Sequence, residues 1–187
     1  MTVVAFDFDG TLADTMPGLA DLATELISSF FKLPKDLSKS MYLSTIGRPF
    51  ETQIEMLFPE EDVDRKKLVI NLFNNERVVS IYNDDTKEMP YASMVVRVLK
   101  NNNIPMYLCS STPSHVFGSF VKKYFQDSFS SIKGQSKTEQ LQRIKNFHHE
   151  NIYFVGDAPY DREVAESIGI SFIDANESLL NVLATVL

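Results

Sequence analysis

Residues 3–12 read VVAFDFDGTL. Val3, Val4, Ala5 and Phe6 are apolar at every position, which suits a strand covered on both faces. The run ends on Asp7 and Asp9, with Phe8 between them and Gly10-Thr11 directly after. Burying one unpaired carboxylate costs several kcal/mol or shifts its pKa, and two close together cost more. Such a pair at a strand end calls for a cation or a chemical role.

Outward from this stretch, the chain changes rhythm twice. Leu19, Leu22, Ala23, Leu26, Ile27 and Phe30 recur at helical spacing and predict a helix over about 16–31, with Pro17 in its first turn. Further helices are expected near 35–45, 50–58 and 62–82, broken at Gly47-Arg48-Pro49 and at Pro59. From Pro90 onward strands and helices alternate. Strands are predicted at 104–110, 129–132 (FSSI), 151–157 and 170–174, and helices at 90–100, 114–123, 137–147, 161–168 and 176–186. That alternation indicates parallel βαβ units. The expected fold is α/β: a three-layer sandwich on a parallel Rossmann-like sheet formed by 1–14 and 89–187. Residues 15–88 would be a small all-helical cap inserted after the first strand.

Composition narrows the function. A chain of 187 residues can bury one good core with a modest insertion. Its net charge of −7 argues against nucleic acid as a partner, because phosphate-backbone binding draws on clustered Lys and Arg. No apolar run approaches the ~20 residues that span a bilayer, so no membrane partner is expected. The N-terminus reads as a strand rather than a secretory leader, and the single cysteine, Cys109, suits a reducing cytoplasm. Oligomeric state stays open, a monomer being compatible with all of this.

Ligands of such sheets sit beyond the carboxyl ends of the strands. After the first predicted strand come Asp7, Asp9, Gly10 and Thr11; after the second, Ser110, Ser111 and Thr112. Lys133 and Lys137 follow the third, and Asp157 and Asp161 the fourth, in GDAPYD. Several carboxylates can hold a hard divalent cation such as Mg²⁺. Hydroxyls at a helix start can cradle a phosphoryl group, and a lysine can neutralise charge beside it. One Asp could act as nucleophile while another acts as general acid.

This order of motifs — DFDGT, a Ser-ended strand, a lysine and GDxxxD — resembles the haloacid dehalogenase superfamily. The likeness is greatest to its helical-cap branch, such as phosphoglycolate phosphatases and β-phosphoglucomutase. The resemblance implies a Mg²⁺-dependent phosphatase of small phosphorylated metabolites. Asp7 would be the nucleophile that becomes an aspartyl phosphate, and also a metal ligand. Asp9 would be general acid and base, with its backbone carbonyl on the metal, and Thr11 would steady the loop. Ser110 and Ser111 would meet the phosphoryl group, and Lys137 would orient Asp7. Asp157 would bind Mg²⁺, with Asp161 binding it directly or through water. Relatives that cut carbon–halogen bonds lack an acid at the position of Asp9, because halide leaves without a proton while an alkoxide needs one.

Alternatives stand beside this reading. The third motif is often Lys-Pro-x-Pro, whereas this chain has SKTEQL, so Lys133 competes with Lys137; the helix that follows directly favours Lys137. Many phosphoglycolate phosphatases carry Thr-Asn-Lys after the second strand. Ser110-Ser111-Thr112 here weakens a claim on that substrate. Gly47 and Arg48 are either a plain helix break or the cap loop that touches the substrate. Asp161 could simply cap its helix. A sugar phosphomutase would share the same nucleophile, and a phospholigand-binding regulator would keep the fold without needing either acid.

Overall fold

A computed structural model describes residues 2–83, 85–130, 132, 136–149 and 151–187. Lys133, the rival motif lysine, lies outside the described residues. The chain divides into two compact units, Met1–Asp14 with Lys87–Leu187, and Thr15–Thr86.

The first unit is built on four parallel strands, β1 (Thr2–Phe6), β2 (Met106–Leu108), β3 (Asn151–Gly156) and β4 (Ser171–Asp174), in the order β2-β1-β3-β4. Val4 pairs with Met106 on one side and with Tyr153 on the other, so β1 is interior to the sheet. The chain passes from β1 to one neighbour, then crosses to the other. The crevice between β1 and β3 is therefore a topological switch point, where such sheets bind ligands.

Among the described residues, five helices complete this unit: α5 (Ala92–Asn101), α6 (Ser114–Phe125), α7 (Lys137–Phe147), α8 (Pro159–Ile168) and α9 (Leu180–Val186). Val3, Ala5, Ile152 and Phe154 share one apolar cluster with Leu141 and Ile144 of α7 and with Val164 and Ala165 of α8. Strand alternation turns Val4 and Phe6 to the opposite face. Both are fully buried there, on the side where α5 packs with α6 and α9. These are the three layers expected from the alternating pattern.

Numbered before them in the chain, α1 (Met16–Phe31), α2 (Lys35–Leu43), α3 (Phe50–Leu57) and α4 (Val63–Ser80) form the second unit. Leu19, Ala23 and Ile27 of α1 meet Ile54, Val69 and Phe73 in a separate core. Two aromatic stacks brace it, Phe31 on Phe58 and Phe50 on Phe73, each with ring centroids 3.8 Å apart. Asp62 caps α4 by accepting from the Arg65 N–H at 2.9 Å. At the junction, still within the first unit, Ala13 bridges Glu88 in antiparallel fashion. The Asp14 N–H donates to the Lys87 carbonyl and the Met89 N–H to the Leu12 carbonyl, both at 2.9 Å.

Several expected bounds shift, the strand expected at 104–110 being only Met106–Leu108 and the helix expected from 161 opening at Pro159, and two elements differ further. The strand at 129–132 reduces to one bridge, Ser130 beside Tyr107, with the Ser130 N–H on the Met106 carbonyl at 2.8 Å. Ser131 of the expected strand lies outside the described residues. The helix expected from 176 begins at Leu180. Side chains capture the backbone first: Asp174 accepts from the Asn176 N–H at 2.9 Å and Ser178 from the Leu180 N–H at 3.2 Å.

Candidate active site

Alternation at the end of β1 sorts the side chains of the opening stretch. Phe8 goes into the core, stacked on Phe117 at 4.5 Å and edge-on to Phe120 at 5.3 Å. This anchors the turn whose two acids face the other way. Gly10 takes φ +76°, a conformation that favours glycine, and the N–H groups of Leu12 and Ala13 both fold back to the Phe8 carbonyl. The Asp7 N–H donates to the Val155 carbonyl at 2.8 Å, placing Asp7 at the β1–β3 crevice.

Asp7 is 3% exposed. Its Oδ2 lies 2.9 Å from Lys137 Nζ, while Oδ1 is buried with no hydrogen-bond partner among the described residues. Lys137 is the first residue of α7, behind Ser136, whose hydroxyl caps the helix by accepting from the Glu139 N–H at 3.1 Å. The same ammonium donates to Asp161 Oδ1 at 2.6 Å. Asp161 Oδ2 accepts from the Ala158 N–H at 3.1 Å, closing the first turn of α8. Asp161 thus both caps its helix and belongs to the cluster. Its position depends on Gly156: a Cβ there would sit 2.5 to 2.7 Å from three Asp161 side-chain atoms.

Asp157 is the third acid. Thr11 Oγ1 donates to its Oδ1 at 3.0 Å, and Asn176 Nδ2 donates to its backbone carbonyl at 2.6 Å. Thr11 therefore joins the loops after β1 and β3. The second acid of the opening stretch, Asp9, accepts from Thr112 Oγ1 at 2.7 Å. The Thr112 N–H donates to Ser110 Oγ at 3.0 Å, and Gln140 Nε2 to the Ser110 carbonyl at 3.2 Å. Ser110, Ser111, Thr112, Ser114, Phe117 and Gln140 line a cavity of about 350 Å³.

Oxygens of Asp7, Asp157 and Asp161 all lie within 4.8 Å of one another. Among the described residues three carboxylates face one lysine, a formal deficit of two charges. Burial is the main cause that holds the Asp7 carboxyl well above its ordinary range; Lys137 opposes the shift, and Asp161, Asp157 and Asp9 add to it. Burial, then the charge of Asp161, pushes Asp157 up to about 6. Burial works to lower Lys137, but the charges of Asp7 and Asp161 outweigh it and hold the ammonium above its ordinary value. A hard divalent cation fits this set. The donors are all oxygens, the charge deficit is two, and Asp7 Oδ1 is a buried acceptor with nothing to accept from. Asp161 has both oxygens engaged, so Asp7 and Asp157 are the freer ligands.

The structure brings Asp7, Lys137 and Asp161 into one ion-paired group, sets Asp157, held by Thr11, within 4.8 Å of the other two acids, and joins Asp9 and Ser110 through Thr112. Gly47 and Arg48 lie in the helical unit, in the turn between α2 and α3, where the Arg48 carbonyl accepts from Gln53 Nε2 at 2.9 Å. Sequence reasoning assigned no role to Thr112, Gln140, Gly156 or Asn176. Gln140 carried a signal, as a polar residue one turn after Lys137 next to the buried Leu141. Asn176 follows the last strand, and so fell under the strand-end rule that found the others.

A family model described as haloacid dehalogenase-like hydrolase matches residues 1–169. No curated protein matches the chain in sequence. Among solved structures, the chain is similar to a protein assigned as a haloacid dehalogenase-like hydrolase from Bacteroides fragilis, at 23% identity and TM-score 0.76, over 92% of this chain and 86% of that one. A predicted phosphatase from Clostridium acetobutylicum is similar at 17% identity and TM-score 0.72, over 98% of each chain. A protein assigned as β-phosphoglucomutase from Bacteroides vulgatus is similar at 18% identity and TM-score 0.75, over 97% and 80%. At these identities the likeness speaks for the fold.

Proposed function

The chain belongs to the haloacid dehalogenase-like hydrolases, and from that premise we propose that it is a Mg²⁺-dependent phosphatase of small phosphorylated metabolites. The observation that carries this reading is the state of Asp7. It is a buried carboxylate with one oxygen steadied by Lys137 and the other left without a partner. A structural ion pair has no use for an orphaned oxygen, because leaving a buried acceptor unsatisfied costs about 1–3 kcal/mol.

In this reading Asp7 attacks phosphorus, and a bond from its carboxylate oxygen forms as the bond to the ester oxygen breaks. Asp9 gives its proton to the departing alkoxide. Asp9, now ionised, takes a proton from water, whose oxygen displaces Asp7 and releases inorganic phosphate. Lys137 keeps Asp7 turned for attack, and the Ser110 hydroxyl donates to a phosphoryl oxygen. A divalent cation held by Asp7 and Asp157, with the Asp9 carbonyl, would supply positive charge beside the phosphoryl oxygens.

Turnover of an aryl phosphate with and without Mg²⁺ tests the reading. Wild-type protein should require the cation, and Asp7→Asn should be inactive. Full activity in Asp7→Asn would remove the aspartyl-phosphate mechanism. A phosphomutase shares this nucleophile but returns the phosphoryl group to a sugar, so phosphoryl exchange between sugar phosphate isomers separates the two. We assign substrate selection to the helical unit, with Gly47 and Arg48 as its candidate residues. Arg48→Ala should raise KM for the cognate metabolite while changing a minimal aryl phosphate little; equal effects on both would count against it.

A further inference from the structure

One chain of hydrogen bonds runs from α7 to Asp9. Gln140 Nε2 donates to the Ser110 carbonyl, the Thr112 N–H to Ser110 Oγ, and Thr112 Oγ1 to Asp9 Oδ2. Gln140, Ser110 and Thr112 are each more than nine-tenths buried. We propose that Thr112 is a positioning residue: its hydroxyl fixes the Asp9 carboxylate, and the Ser110–Thr112 turn ties that position to the seating of a phosphoryl group. The proposal rests on the reading of Asp9 as general acid and deepens it.

Asp9 has two side-chain torsions and is only half-buried, so more than one orientation is open to its carboxylate. A 2.7 Å bond from a buried hydroxyl selects one of them. Proton transfer needs the acid within hydrogen-bond reach of the leaving oxygen, so orientation translates into rate.

Ser110 supplies the coupling. Its oxygen already accepts from the Thr112 N–H, which leaves its own O–H to donate. When that proton goes to a phosphoryl oxygen, the serine oxygen becomes the stronger acceptor, because bonds in a chain polarise one another. The turn that carries Thr112 tightens as the phosphoryl group arrives. Lys137 and Gln140 sit on successive turns of α7, so one helix steadies the nucleophile directly and the acid through this relay. Esters with poor leaving groups would depend on it most.

Thr112→Val removes the hydroxyl at constant shape, and Thr112→Ser returns it. An alkyl phosphate and an aryl phosphate are compared with Mg²⁺ in excess. Thr112→Val should lower kcat on the alkyl ester about 10-fold or more and on the aryl ester less than about 3-fold, with KM for each changed less than about 2-fold. Thr112→Ser should restore most of the loss. Equal losses on both esters, an effect confined to KM, or a serine variant no better than valine would each overturn the proposal. A crystal structure of Thr112→Val gives a readout that needs no turnover. The Asp9 carboxylate should leave its wild-type orientation, and an unmoved Asp9 overturns the proposal. Should valine fail to fold, Thr112→Ala against Thr112→Ser serves in both measurements. The underlying phosphatase reading fails separately, through activity that survives in Asp7→Asn.

Discussion

At the scale of single residues, the site is a problem of charge. Among the described residues, Asp7, Asp157 and Asp161 crowd around one cation, Lys137. The consequence for stability has a definite sign. Asp157 ordinarily titrates near 3.8 and is raised to about 6 in the fold, mainly by burial. A raised carboxyl means that the folded protein holds its proton more tightly than the unfolded chain does. Its contribution to stability is therefore full below about pH 4 and is lost as pH rises toward 6. Asp7 acts in the same direction. A shift of that size in Asp157 corresponds to about 3 kcal/mol. Metal-free protein should lose thermal stability across this window, and excess Mg²⁺ should flatten the loss by favouring the ionised acids. Thermal unfolding of chelated and Mg²⁺-loaded protein checks this; metal-free protein that gains stability as pH rises would contradict it.

Much at this scale was legible. Asp7, Asp157, Asp161 and Lys137 declare themselves because residue type and strand end are both local properties. The Thr112–Asp9 and Gln140–Ser110 pairings were not, because each joins segments whose approach only the sheet order decides. Asp161 shows the limit of choosing between readings, since the helix cap and the cluster member are the same carboxylate used at its two oxygens.

At the scale of elements, the β3–α8 turn carries the tightest constraint. Gly156 has no side chain, and that is where the Asp161 carboxylate rests. Gly156→Ala should force Asp161 off Lys137 and the Ala158 N–H. Overpacking of this kind costs about 1–3 kcal/mol. Urea denaturation should show that loss, and turnover should fall well beyond what the stability change explains; a variant with wild-type values of both would refute the argument. Helices were readable from the 3.6-residue period, down to α1 over 16–31. The ends that moved did so for local reasons. Proline opens α8 at 159, where its missing N–H costs nothing. Asp174 and Ser178 hold back α9.

At the scale of the whole molecule, two cores share one chain. The helical unit depends on its aromatic stacks, and Phe73 is 2% exposed against Phe50. Phe73→Ala should cost that unit about 3–5 kcal/mol. Hydrogen exchange should then accelerate in α1, α3 and α4 while β1 and β3 keep their protection. Equal acceleration in the strands would mean that the two units unfold as one.

The bridge of Ala13 to Glu88 has its own consequence. It pins the departing and returning chain side by side before either reaches the helices. Seen from the sheet, everything from Thr15 to Thr86 is a single long loop whose ends are already tied. Closure entropy grows only with the logarithm of loop length, about 0.6 kcal/mol for each doubling. The sheet is therefore nearly indifferent to how much chain is threaded through that gate. Helices could be lengthened, exchanged or trimmed to a short linker between Asp14 and Lys87 with little thermodynamic penalty to the strands. One small knot of backbone hydrogen bonds thus separates, along the chain, the strands from whatever length is inserted between them.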